Sequence, residues 1–126
     1  MKATEGNGPA GNLYDKYATG NPVARFLMGR FLSAVIGYVD RVKGETNSAF
    51  EVGCGEGRLA AMIAERLAVP FRACDCSEAI VEQAISEHRA SGIEFFVRSV
   101  FDLGDGDAAD LVIACEMLEH VEQPER

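Results

Sequence analysis

An acid, Glu51, ends a short apolar run, and Gly53, Gly55 and Gly57 follow it at alternate positions before a helical pattern begins. Glycines spaced this way, lacking Cβ, let a chain turn sharply through positive φ and let a ligand lie against the backbone. More carboxylates stand at comparable places downstream: Asp75, Asp102 and Glu116 each end or follow an apolar run. Asp75 comes twenty residues after Gly55, the separation at which a carboxylate in a βαβ unit accepts hydrogen bonds from ribose hydroxyls. The dinucleotide fingerprint G-x-G-x-x-G is missed by one residue, because its third glycine would fall on Arg58. A nicotinamide-dependent oxidoreductase stays open on this pattern, as does a tight turn whose glycines serve only helix–strand packing.

These residues need a scaffold, and its elements show in the periodicity. Asn21 and Pro22 suit a helix start, and Val23, Phe26, Leu27, Phe31, Val35, Tyr38, Val39 and Val42 recur at helical spacing. This predicts a helix of about twenty residues with one apolar face. A strand is predicted over 49–52, and beyond the glycines Leu59, Met62, Ile63 and Leu67 define a helix that Pro70 stops. A second strand spans 71–75; Ser77 then caps a helix whose Ile80, Val81, Ala84, Ile85 and His88 share a face, and Ser91-Gly92 closes it. Strands at 93–97 and 111–115 follow, separated by a polar loop with Gly104, Gly106 and four aspartates. Strands alternating with long crossovers make an α/β layer fold with a parallel sheet and right-handed connections.

Composition narrows the class. The 126 residues, 48% hydrophobic, suffice for one domain with a modest core. Residues 1–12 are rich in glycine and asparagine and nearly devoid of apolar side chains, which predicts a flexible tail ahead of a domain over 13–126. Twelve basic against twenty acidic side chains give a formal charge of −8. Binding to nucleic acid or an anionic membrane by charge alone is therefore not expected. No apolar stretch is expected to approach the ~18 residues of a membrane span, and the start lacks the core of a signal peptide, so a cytoplasmic location is expected. Cys54, Cys74, Cys76 and Cys115 lack zinc-site spacing and sit in or beside apolar runs, which favours buried free thiols.

The acid-x-Gly-x-Gly-x-Gly segment resembles the first motif of class I S-adenosylmethionine-dependent methyltransferases. Asp75-Cys76-Ser77-Glu78 resembles the D-x-S-x segment of that family, Ser99-Val100-Phe101-Asp102-Leu103 its adenine-contacting segment, and the run from Asp110 to Val121 its fourth-strand motif. The four occur in the expected order over roughly residues 14–126 and are similar to the branch of small-molecule enzymes typified by quinone biosynthesis.

The resemblance implies a Rossmann-like, three-layer αβα fold with strand order 3-2-1-4, incomplete at its C-terminal edge because relatives continue for three more strands. It implies S-adenosylmethionine as cofactor, with Glu51 near the amino end of its methionine. The backbone of Gly53, Cys54, Gly55 and Gly57 would pack against it, Asp75 and Cys76 would lie at the ribose, Asp102 at the adenine, and Glu116 would complete the set. The sulfonium methyl is already activated, so the protein mainly holds a nucleophile in line with it. His120 is the candidate general base for a hydroxyl acceptor, whereas His88 reads as a packed core histidine. Glu116, Glu119 and His120 would share a helical face and resemble the Glu-x-x-Glu-His arrangement of metal-assisted O-methyltransferases, but no metal is assigned. Tyr14 or Tyr17 is placed where relatives fold a segment over the cofactor.

The expected partner is a small-molecule methyl acceptor, with no nucleic acid and no membrane. An uncovered fourth strand would invite self-association. The competing functions are an NAD(P)-dependent oxidoreductase and a non-catalytic, cofactor-binding fragment.

Overall fold

A computed structural model describes residues 20–115. Asn21 caps the first helix, α1 (Pro22–Val42), its Oδ1 accepting from the backbone N–H of Val23 at 2.9 Å and of Ala24 at 3.3 Å. Strand β1 (Ala49–Val52) leads through the glycine turn into α2 (Arg58–Ala64), then β2 (Phe71–Asp75), α3 (Glu78–Glu87), β3 (Glu94–Val97) and β4 (Leu111–Ile113). All pairings are parallel and the strand order is β3-β2-β1-β4. The expected order 3-2-1-4 is thus the observed one.

Side-chain alternation along each strand divides the core. Ala49, Ala73, Phe95 and Ile113 face one way and pack with Val39 of α1, with Leu59, Ala60 and Ile63 of α2, and with Val81 and Ala84 of α3. By the same parity Glu51, paired with Ala73, and Asp75, two residues further along β2, belong to this helix-covered face. Phe50, Val52 and Cys74 face the other way, under Phe96, Val100, Leu103 and Ala109. Among the described residues this second face is covered by the 98–110 segment, which turns through two short 3₁₀ helices, Val100–Asp102 and Asp105–Asp107.

That segment is more than the polar loop expected from its composition. Asp107 receives Arg72 Nη1 at 3.0 Å and Arg98 Nη1 at 3.2 Å, and its Oδ2 also accepts the Gly104 N–H at 3.0 Å. Both guanidiniums lie against aromatic rings, Arg72 4.5 Å and Arg98 5.0 Å from the Phe96 centroid, while Phe96 meets Phe50 edge-on at 5.8 Å. The Gly104 N–H first, and then the two arginines, hold the Asp107 carboxyl below its usual range against the opposing effect of burial. The sign follows: this stabilisation is present at neutral pH and is lost as pH falls through the depressed value. Asp107→Asn is expected to loosen the segment, so limited proteolysis should cut within 98–110 faster than in the parent chain while cuts elsewhere keep their rates.

Four expectations need correction. Helix α1 does not have a single apolar face. Met28 and Val39 are buried, and Leu32, Val35 and Ile36 pack on the core, whereas Val23, Phe26, Leu27 and Tyr38 point outward and are exposed. With apolar residues on both sides, Pro22–Glu45 is long and apolar enough to cross a membrane by length and composition, and only 6% of its apolar window is buried. The expectation that no stretch approaches that length fails because only Arg25 and Arg30 interrupt the residues from 22 to 39. Helix α2 stops at Ala64, well short of Pro70, because its last turn tightens: Arg66 N–H bonds to the Ile63 carbonyl at 2.8 Å, three residues back. Ile85, expected to share a face with Val81 and Ala84, is exposed while they are buried.

The start of β4 is tied to β1. Asp110 Oδ2 accepts the Asn47 N–H at 2.8 Å, and Ser48 Oγ accepts the Asp110 N–H at 3.0 Å. Strand β4 forms one edge of the sheet, and Val112 on it is exposed.

Candidate functional site

The glycine turn is held by the end of β2. The Cys74 carbonyl accepts two consecutive N–H groups, from Gly53 at 2.8 Å and Cys54 at 2.9 Å, and the Cys54 carbonyl accepts from Gly57 at 3.0 Å. Gly53, Gly55 and Gly57 all have positive φ, at 72°, 57° and 85°. Gly57 is the N-terminal boundary of α2, and its α-carbon lies against the Phe95 ring and the His88 imidazole. His88 is accordingly a half-buried packing residue, as expected, but it sits just past α3 at its C-terminal cap and stacks at a tilt 6.2 Å from Phe95.

Asp75 joins the two halves of the site. Its Oδ2 accepts the Gly55 N–H and its Oδ1 the Ser77 N–H, both at 3.1 Å, so one carboxylate orders the glycine turn and the entry into α3. Ser77 in turn caps α3 through its Oγ, which accepts the Ile80 N–H at 3.3 Å. A carboxylate offers about four lone-pair sites. With one bond on each oxygen, Asp75 keeps acceptor capacity for a ligand.

Glu51 is the most unusual side chain of the set. It is 1% exposed, and its Oε1 has no hydrogen-bond partner among the described residues. Burial, and secondarily the charge of Asp75, raises its carboxyl well above the ordinary value. Among the described residues no lysine, arginine or histidine pairs with Glu51 or Asp75. Buried polar groups are almost always satisfied. An orphaned carboxyl oxygen beside an uncompensated carboxylate, under a turn of positive-φ glycines, is what a cation-bearing ligand with a ribose would complete.

The structure therefore brings Glu51, Gly53, Cys54, Gly55, Gly57 and Asp75 together. Cys76 follows directly and is exposed. Asp102 is not gathered into this cluster: it is exposed on a 3₁₀ turn whose Val100 packs on the opposite face of the sheet, and Ser99 Oγ caps that turn. Glu116, Glu119, His120, Tyr14 and Tyr17 lie outside the described residues. No group of three metal-ligating side chains occurs among the described residues.

Burial with the neighbouring charges of Glu51 and Asp75 makes the Cys54 thiol hard to ionise, and burial pushes the Cys74 thiol up to about 11. Thiolates are the reacting species. Native alkylation near neutral pH is therefore expected to modify Cys76 while Cys54 and Cys74 react only after unfolding, as read by peptide mass spectrometry. Native modification of Cys54 at the rate of Cys76 would contradict this arrangement.

A family model described as a methyltransferase domain matches residues 49–126, which takes in the glycine turn, both acids and all four strands. The chain belongs to this methyltransferase domain family. No curated protein matches the sequence. Among solved structures it is similar to magnesium protoporphyrin IX methyltransferase from Synechocystis PCC 6803 with bound SAM, at 22% identity and a TM-score of 0.69, over 90% of this chain and 59% of that one. The methyltransferase domain of bacterial CtHen1 is similar at 18% identity and a TM-score of 0.64, over 89% of this chain and 55% of that one. An RNA methyltransferase from Salinibacter ruber in complex with S-adenosylhomocysteine is similar at 16% identity and a TM-score of 0.52, over 64% of this chain and 56% of that one. At these identities the likeness carries the fold. The methyltransferase-family chain spans less than two thirds of the length of each of these structures.

Proposed function

We propose that this chain is the cofactor-binding part of a methyltransferase domain that uses S-adenosylmethionine to methylate a small-molecule acceptor. The carrying observation is the Asp75 carboxylate bonded to the Gly55 N–H, with the orphaned Glu51 oxygen beside it. Family membership supports the reaction class, and the bound ligands named for two of the similar structures support the cofactor. The net charge of −8 favours a small acceptor over a polyanionic one.

When bound, the cofactor supplies an electrophilic methyl group on a sulfonium. The chain's own residues bind and orient. The free lone pairs of Asp75 accept ribose hydroxyls, the glycine turn lets the backbone approach the amino-acid part, and Glu51 faces the cationic amino end. Cys76 borders the ribose, Asp102 the adenine, and Glu116 completes the set. His120 takes the acceptor's proton, and the protein acts in the cytoplasm as a domain over 13–126. Holding the acceptor in line is the main catalytic contribution, and orientation of this kind can supply several kcal/mol of a barrier.

Isothermal titration of the chain with S-adenosylhomocysteine and with NAD tests the reading. Saturable binding of the former and none of the latter is expected. Binding of NAD alone would replace the methyltransferase with an oxidoreductase.

A further inference from the structure

We propose that Glu51 holds a proton in the free protein and gives it up to solvent when the cationic amino-acid end of the cofactor arrives, so that cofactor capture is coupled to proton release. The inference rests on the function proposed above and concerns how that same site is regulated.

The geometry carries it. Glu51 and Asp75 lie on adjacent strands of one sheet, on the same face and two residues apart in register. Among the described residues, the groups facing Glu51 are acidic or neutral: the Asp75 carboxylate from β2 and the Cys54 thiol from the turn. Glu56, in the same turn, is a further buried acid. Asp75 has both oxygens engaged by backbone N–H donors. Glu51 has no such donor on Oε1 and almost no exposure. Two anions this close in a water-poor setting are costly, so the site relieves the repulsion by keeping the carboxyl without a donor neutral.

An ammonium group placed within hydrogen-bonding reach reverses that balance, because a nearby opposite charge favours the carboxylate. The proton leaves Glu51 for the buffer, the O–H bond breaks with its electron pair staying on the carboxylate, and the new anion pairs with the ligand's cation. Over the range in which Glu51 is protonated in the free chain but ionised in the complex, affinity rises by about tenfold per pH unit.

The test is calorimetry of the full chain with S-adenosylhomocysteine at about pH 6, where the ligand's α-amine is already protonated. Comparing buffers of low and high ionisation enthalpy should show net proton release on binding, at most one per ligand, and Glu51→Gln should abolish the buffer dependence. Should the variant fail to fold, difference infrared spectra of the parent chain serve instead: a protonated-carboxyl C=O stretch should disappear on binding. Binding with no buffer dependence and no loss of that band overturns the coupling and leaves the proposed function standing. Absence of binding overturns both.

Discussion

Gly57→Ala is expected to destabilise the domain by about 2–5 kcal/mol, the sum of a left-handed backbone forced on an L-residue and an overpacked contact. The backbone contribution comes from φ of +85° at the N-terminal boundary of α2. The packing contribution comes from the added methyl, which would stand 2.8 Å from Phe95 Cε1 and Cζ and 3.1 Å from His88 Cδ2. Neither neighbour yields easily, because Phe95 is a buried core residue of β3 and His88 is stacked on it. The two contributions separate in a double-mutant cycle. In a Phe95→Leu background the alanine should cost only about 1–2 kcal/mol, the backbone part. Denaturant midpoints at constant slope measure both values. An alanine tolerated in the parent chain would mean that the turn does not approach β3 as described, and the site would lose its floor.

Which parts of this arrangement were legible beforehand follows from the kind of signal each one leaves. The strands and the glycine turn were readable because short apolar runs and closely spaced glycines are local signals, whereas the strand order came with the family resemblance. Asp75 was readable because its distance from Gly55 along the chain is set by one βα crossover. The clamp of Arg72 and Arg98 on Asp107 was not, since Arg72 and Asp107 are 35 residues apart and an arginine inside a strand reads only as an interruption of an apolar run. Helix α1 misled for a related reason. Periodicity identifies a helix but cannot choose between two apolar stripes, and the buried one runs through Met28, Leu32, Val35 and Val39 and leaves Phe26 and Leu27 outside. Glu51 was legible as a site residue from its place before the glycines. Its isolation was not, because the absence of a countercharge is a property of every neighbouring element together. Asp102 came from the family motif, and the described packing leaves it exposed on a 3₁₀ turn apart from the cluster of Glu51 and Asp75.

Asp75→Asn is the second substitution expected to have a large effect, and it should act on the fold and the site together. Asn is nearly isosteric, so it makes no cavity; what it changes is the pattern of donors and acceptors. The carboxylate now accepts one backbone N–H on each oxygen, from Gly55 and from Ser77. An amide has one acceptor oxygen and a donor NH₂, so one of the two N–H groups must face another donor. Losing a hydrogen bond to a charged acceptor and leaving a buried N–H unsatisfied should cost about 1.5–3 kcal/mol of stability. The same loss reaches the ligand, because the freed N–H at Gly55 lets the glycine turn relax and the ribose loses an anionic acceptor. Affinity for S-adenosylhomocysteine should fall by about ten- to a hundredfold. Glu51 supplies an internal control. Removing the Asp75 charge takes away one of the two causes that keep the Glu51 carboxyl above its ordinary value, although burial, the larger one, persists. A carboxyl raised in the folded state gives stability that is lost as pH rises toward its folded value. That decline begins at the ordinary carboxyl value of the unfolded chain in both proteins, and it should be smaller and end at lower pH in the variant, which urea midpoints at several pH values would measure. A weaker ligand with an unchanged pH profile would place Asp75 at the ribose but separate it electrostatically from Glu51.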